Sequence, residues 1–274
     1  MIDDQAFGQK KAKEARGTQS RVRPLITIIT ATFNAVEYLP YTIESIRNRT
    51  YENIEWMVVD GGSKDGTVDL IRQNEDVIEY WTSEPDDGIY DAWNKLLPRA
   101  AGTWLIFIGA GDILSDGWLE AVASSNEGVD LVYGDCIMRS MDGKKNFLRR
   151  LSSWDEQRVE LLRSMSLPHT GMAHHRRLFA AEKRFDASYH IVGDWEFLLR
   201  VAPTQGHYVK GKVQAVMRLG GVGNSPTSTR RAYDETCKVH KCYGSSMSLS
   251  TWCKWRIKLA TAAHPCLYRL LQAL

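Results

Sequence analysis

The chain has 274 residues, 43% of them hydrophobic, enough for one sizeable α/β domain, alone or with appendages. With 35 basic and 33 acidic residues the net charge is +2, which excludes a strong polyanion binder and so a nucleic-acid partner. No apolar run reaches the roughly 20 residues needed to span a bilayer.

In chain order, residues 1–23 come first. They carry Lys10, Lys11, Lys13, Arg16, Arg21 and Arg23 and no apolar run, and read as a flexible basic leader, neither signal peptide nor anchor. After Pro24, Leu25–Ala31 (LITIITA) is a β-branched run, expected as a buried strand. Tyr38–Arg49 has Leu39, Ile43 and Ile46 at helical spacing. Ile54–Asp60 (IEWMVVD) is a second strand, and GGSKDGT turns into a helix from Val68 to Gln73. VIEYWTS is a third strand. Ile89–Ala101 is expected as a helix stopped by Gly102, and Thr103–Gly109 (TWLIFIG) as a fourth strand. Beyond Asp112 the pattern loosens. Val129–Asp135 reads as a strand, Asp155–Met165 as an amphipathic helix, LPHTGMAHHRRLF as a loop before a short helix. Gly193-Asp194 opens a helix to Val201, and KVQAVMRLGG is a late strand. Strand and helix alternating at this spacing predict βαβ units and a mostly parallel α/β sheet flanked by helices.

In such sheets ligands sit beyond the carboxyl ends of the strands. The residues there are Thr32 and Asn34, then Asp60 to Asp65, then Ser83 to Asp87, then Gly109 to Asp112. Asp60 and Gly61 open a glycine-rich turn that lacks both the phosphate-loop ending and the dinucleotide fingerprint, so Asp60 suits a base N–H or ribose hydroxyls. Asp65 reads as a cap of the following helix. Asp112, after three small residues, can hold a divalent cation against a diphosphate, or cap the helix near Leu119. Asp194 and Glu196 lie two apart at a helix start. One faces a site as a general base while the other is solvated, or both serve the helix dipole.

Seven segments, ITIITATFN, VVDGGSKDGT, SEPDDGIYDAWNK, WLIFIGAGD, LPHTGMAHHRRLF, VGDWEFLLR and GGVGNSP, resemble in order the family 2 glycosyltransferases, most closely the bacterial branch that builds surface polysaccharides such as colanic acid, capsule or O-antigen. The resemblance runs from about Pro24 to Arg231. It implies a GT-A fold for residues 24–231, a nucleotide-diphosphate sugar donor, a divalent cation (Mn2+ or Mg2+) and inversion at the anomeric carbon. Carried over by position, Thr32 and Asp60 contact the nucleoside, and Glu84 and Asp91 line the nucleotide pocket. Lys95 pairs with Asp91 on the same helix face. Asp112 is the metal acid, Asp194 the catalytic base, and His169 a histidine on the phosphate or acceptor side. The chain departs from the family's Asp-x-Asp at the fourth strand end: GAGD has no acid before Asp112, and Gly109 stands where the branch often has Asn. Uracil is the base expected from the family, with guanine and thymine open.

Residues 232–274 are expected to form a basic helical tail. From Thr236 on it holds no Asp or Glu, and Trp252, Trp255 and Leu259 share a helical face. Tryptophans beside cations suit peripheral contact with an anionic leaflet, where a lipid-linked acceptor would be met, or a helix packed on the domain. Five cysteines at irregular spacing argue against a disulfide framework and for a cytoplasmic protein, at the inner face of the plasma membrane if the tail binds lipid. Cys237, His240 and Cys242 match no common zinc spacing. A non-catalytic nucleotide-sugar binder of the same fold and a nucleotidyltransferase are the rival functions. The second is disfavoured because TFNAVEYLP after the first strand has no basic residue.

Overall fold

In the computed structural model the described residues are 23–140, 143–180, 183–220, 228–245 and 247. Nine strands form one sheet: β1 (Ile26–Thr32), β2 (Ile54–Asp60), β3 (Tyr80–Ser83), β4 (Trp104–Gly109), β5 (Ile113–Leu114), β6 (Leu131–Arg139), β7 (Asn146–Arg149), β8 (Ala173–His175) and β9 (Gly206–Arg218). Their order is β3-β2-β1-β4-β8-β6-β9-β5, with β7 added on β6. The first four are parallel, as expected of βαβ units. β8 then runs antiparallel to β4 and β6, and β6 pairs with β9 in parallel.

Both faces of the sheet are covered. Along β1, Ile26 and Ile28 face one side, with α1 (Leu39–Arg47), α2 (Thr67–Arg72) and α4 (Trp118–Ala123). Ile29 faces the other, with α3 (Ile89–Leu96), α5 (Trp154–Leu161), α6 (Gly193–Val201) and α7 (Thr229–Cys242). A β-branched strand with no polar face is what two-sided burial requires. No helix of the described residues is long and apolar enough to cross a membrane.

Several element boundaries differ from the sequence reading. α3 ends at Leu96, not Ala101: Pro98 has no N–H to continue the helical ladder, and Arg99 and Ala100 turn back onto the Leu96 carbonyl. Gly102 therefore stops no helix; a Cβ there would lie 2.5 Å from the Thr27 backbone N, so it serves close strand packing. β3 begins only at Tyr80, since Val77 and Ile78 turn back onto the Asn74 carbonyl. The short strands β7 and β8 carry too few residues for a period to show. The boundary at 231/232 falls inside α7, whose Val239 is fully buried in the main core, so this helix is part of the domain and not of a tail. The leader to residue 22, most of GGVGNSP and the tail from residue 248 lie outside the described residues.

Candidate active site

The parallel strands end in register. Thr32 pairs with Asp60, Asp60 with Ser83, and Ala31 with Gly109. This row gathers most of the sequence-predicted residues at one edge.

Asp60 is fully buried and is the hub of that edge. Its Oδ1 accepts from the Thr32 (3.0 Å) and Ser63 (2.5 Å) hydroxyls. Its Oδ2 accepts from the Ser83 hydroxyl (2.6 Å) and the backbone N–H groups of Gly62 (3.0 Å) and Ser63 (2.9 Å). Burial pushes its pKa up, but the hydrogen bonds from Ser63, Ser83 and Thr32 more than offset this and hold it below 3.8. Thr32 and Asp60 thus face each other and shape the turn at this edge. Asn34, at φ 45°, ties the neighbouring turn to it: its N–H donates to Ser63 Oγ (2.7 Å), and its Oδ1 accepts from Lys64 N–H (3.1 Å). The Gly61 N–H donates to the Thr32 carbonyl at 2.9 Å. Asp65 accepts the N–H and hydroxyl of Thr67, the first residue of α2, and the Val36 N–H, so it satisfies that helix start as expected, although Gly66 is the N-cap residue.

Lys95 brings the acidic stretch together. Its Nζ donates to the Pro85 carbonyl (2.7 Å) and pairs with Glu84 (3.2 Å) and Asp91 (3.6 Å). The expected Asp91–Lys95 pair is present, and the cluster clamps the loop ahead of α3. None of the three lines the main cavity at the strand ends. Asp86 Oδ1 accepts the Gly88 N–H at 2.9 Å, which shapes the turn.

That cavity, of about 360 Å³, lies between α3, the end of β4 and α6, and brings together Asp112, His169, Asp194, Tyr90, Arg218 and Arg231. Asp112 follows a tight turn closed by its N–H on the Gly109 carbonyl (3.1 Å). Gly111 has φ 94°, which an acid would adopt only with strain, and this accounts for a small residue at that position. Asp112 Oδ2 accepts from the Thr170 hydroxyl (2.5 Å) and the Gly109 N–H (3.0 Å), and Oδ1 from the Arg218 N–H (3.0 Å). Burial raises its pKa, with those donors opposing. Oδ1 keeps a free lone pair. His169, also buried, has no hydrogen-bond partner on either ring nitrogen among the described residues and stacks on Trp93 (5.2 Å between centroids). Burial, then the neighbouring His174, hold it neutral. Asp112 Oδ1 is a hard oxygen donor that fits Mn2+ or Mg2+ completed by diphosphate oxygens and water, whereas both His169 ring nitrogens are buried against Trp93 and Phe107. Among the described residues no three acidic, His or Cys side chains cluster as a ready-made metal cage. Cys237 and Cys242 are free and exposed, and His240 Nδ1 lies 2.7 Å from Ser245 Oγ.

Asp194 sits in the first turn of α6. Its Oδ1 accepts from the Trp195 N–H (2.8 Å) and the Tyr90 hydroxyl (3.2 Å). Both of these bonds are to Oδ1. Desolvation is the main cause that raises its pKa to about 6, against the two donors. Glu196 is not solvated as expected. It is buried, paired with Arg200 (2.8 Å), and accepts from Tyr243 (2.7 Å).

Sequence reading missed Tyr90, Thr170, Arg218 and Arg231. Tyr90 stood within the acidic stretch and Arg218 at a strand end, where position alone marks candidates. Arg231 lies on α7, which no local signal ties to the site.

The sequence model described as Glycosyl transferase family 2 matches residues 27–183, more than half of the chain. The PGL/p-HBAD biosynthesis glycosyltransferase of Mycobacterium tuberculosis is 33% identical over 214 residues, covering 74% of this chain and 80% of that protein. Among solved structures, Staphylococcus aureus TarS 1–349 in complex with UDP-GlcNAc has a TM-score of 0.62 at 15% identity, covering 86% of this chain and 72% of that one. The chain spans 42% of the longer TarS structure. The mannosyltransferase PcManGT from Pyrobaculum calidifontis, in complex with GDP-Man and Mn2+, has a TM-score of 0.61 at 18% identity, with coverages of 92% and 75%. These likenesses show a GT-A fold. With its motifs in order and the matching model over residues 27–183, the chain belongs to glycosyl transferase family 2.

Proposed function

We propose that the chain moves a sugar from a nucleoside-diphosphate donor to a hydroxyl of a glycan or lipid-linked acceptor, with inversion, in surface-polysaccharide or glycolipid synthesis. The observation that carries the reading is Asp194. It is a carboxylate held on one oxygen, raised to about 6, on the same cavity as Asp112. A base with that proton affinity is ionised at neutral pH and still takes a proton in the transition state.

The residues divide the work. The turn shaped by Thr32, Asn34, Asp60 and Gly61 receives the nucleoside, uracil or guanine, since fold neighbours carry UDP-GlcNAc and GDP-Man. Lys95, with Glu84 and Asp91, keeps the loop before α3 in place over that turn. Asp112 would hold the divalent cation, which neutralises charge on the leaving diphosphate when bound. Arg218 and Arg231 add fixed positive charge at the same cavity. Tyr90 fixes the rotation of the Asp194 carboxylate, and Oδ2 removes the acceptor proton as the hydroxyl attacks in a single displacement. The apolar wall of Trp93 and Phe107 limits water near the reacting carbon. The basic, tryptophan-bearing stretch from Trp252 to Lys258 would bring the site to an anionic leaflet, the cytoplasmic face of the plasma membrane.

A thermal-shift screen with UDP, GDP, TDP and CDP, with and without Mn2+, tests the donor half. One nucleotide is expected to stabilise the chain in a metal-dependent way. Asp194→Asn tests the chemistry: transfer is lost and donor binding kept. Normal turnover in that variant would remove the base assignment.

A further inference from the structure

Helix α7 lies wholly beyond the residues the family model matches, yet it reaches the site twice. Arg231 lines the cavity. One turn later Glu235 is buried, and it has no Lys or Arg partner among the described residues. Its Oε1 accepts the His190 N–H (2.9 Å), and its Oε2 accepts those of Ile191 (2.9 Å) and Val192 (3.1 Å). A buried carboxylate is costly unless its oxygens are filled, and three charge-assisted bonds from consecutive backbone donors offset that cost.

Those three residues lead directly into α6 and Asp194. Between them, the single Tyr90 hydroxyl hydrogen is shared between the Ile191 carbonyl (2.9 Å) and Asp194 Oδ1 (3.2 Å). Glu235, the backbone of 190–192, Tyr90 and Asp194 are therefore one connected network. The rest of α7 holds Glu235 firm: Val239 is fully buried, the His240 ring meets Trp195 edge-on (5.2 Å), and Tyr243 bonds Glu196. An alanine would pack as helix at that position with no charge to bury. The carboxylate is explained by the loop it grips.

We propose that Glu235 is a positioning residue of the transferase site: by clamping the three backbone N–H groups before α6, it sets where the Asp194 carboxylate meets the acceptor hydroxyl. It touches no substrate itself. The inference rests on Asp194 being the base.

The test is Glu235→Gln, which keeps size and helix propensity. Whichever way the amide turns, its NH2 faces a backbone N–H, so at least one bond is lost and the loop shifts. With the UDP-, GDP- or dTDP-hexose that the wild-type chain turns over, kcat is expected to fall about tenfold to a hundredfold, the cost of a misplacement near 1 Å. The donor KM and the thermal shift with the matching nucleoside diphosphate stay as in wild type. Amide hydrogen exchange at 190–192 becomes faster. A general packing defect would instead move KM and nucleotide binding along with kcat, and that result overturns the proposal. So does an unchanged kcat in Glu235→Gln while Asp194→Asn, run beside it, is inactive. An active Asp194→Asn removes the base reading itself and this proposal with it, and is recognised by that variant alone.

Discussion

Asp194→Asn is expected to make the protein more stable at neutral pH while abolishing transfer. The carboxyl is held at about 6 against an ordinary 3.8, chiefly by desolvation. At about 1.4 kcal/mol per unit, that rise corresponds to about 3 kcal/mol of destabilisation once the group is ionised in both states. Asp194 is partly exposed at the cavity wall, so solvent reduces the figure, and roughly 1–3 kcal/mol is the working range. The asparagine oxygen can keep both donors of Oδ1, from Trp195 and Tyr90, so little is lost there. The sign follows from linkage. The folded state binds this proton more tightly, so the penalty is absent below the unfolded value near 3.8 and complete above about 6. The variant should therefore melt several degrees above wild type at pH 8, at roughly 2–4 °C per kcal/mol for a chain of this size. The gap should close near pH 4. The assay is thermal unfolding of both proteins in one buffer series. A gap of constant size across that range, or a less stable variant at pH 8, would refute the argument that buried charge sets the proton affinity of Asp194.

Other consequences can be measured separately. The rate of transfer at saturating donor should fall as pH drops through about 6, since protonated Asp194 accepts nothing; a profile flat down to pH 5 would contradict the base role. Asp112→Ala should reduce metal-dependent nucleotide binding and also destabilise the fold, by about 1–3 kcal/mol, because the Thr170 hydroxyl and two backbone N–H groups lose their acceptor. Asp60→Ala strands five donors and should cost more, about 3–5 kcal/mol. Asp60→Asn should cost less, because the Thr32 and Ser63 hydroxyls can turn to accept from its amide; equal melting temperatures for the two variants would rule out this account. Gly193→Ala would put a methyl 2.7 Å from the Tyr90 ring. It should cost about 1–3 kcal/mol and lower kcat by displacing the hydroxyl that holds Asp194.

The donor half of the molecule was readable because local chemistry and global position coincide there. Each of β1, β2 and β4 is a β-branched or aromatic run ending in a small or acidic residue, and parallel register puts those ends side by side without further information. What each side chain does at the edge was less legible. Asp60 and Thr32 look outward on the sequence, but five donors converge on Asp60 from three segments, and only the fold brings them together. Glu196 was expected in solvent because helical spacing separates it from Asp194; α7, distant in sequence, covers that face. The second half resisted reading for a related reason. β8 has three residues and β7 four, too short for a period, and their places are fixed by neighbours already laid down.

The family model stops at residue 183, whereas Asp194, Arg218, Arg231 and Glu235 all come later. The proposed base and part of its surroundings therefore lie beyond the span the family model matches, while Tyr90, which bonds Asp194, lies within it. On the proposed function, descent can keep the first segment nearly fixed, and with it the activated sugar, while the second drifts and changes which hydroxyl is glycosylated. Exchange of the later segment between relatives should then redirect the product and leave the donor alone. One seam must survive such a graft: the Tyr90 ring lies where any side chain on Gly193 would fall, so donor segment and recipient segment have to agree on glycine at that place.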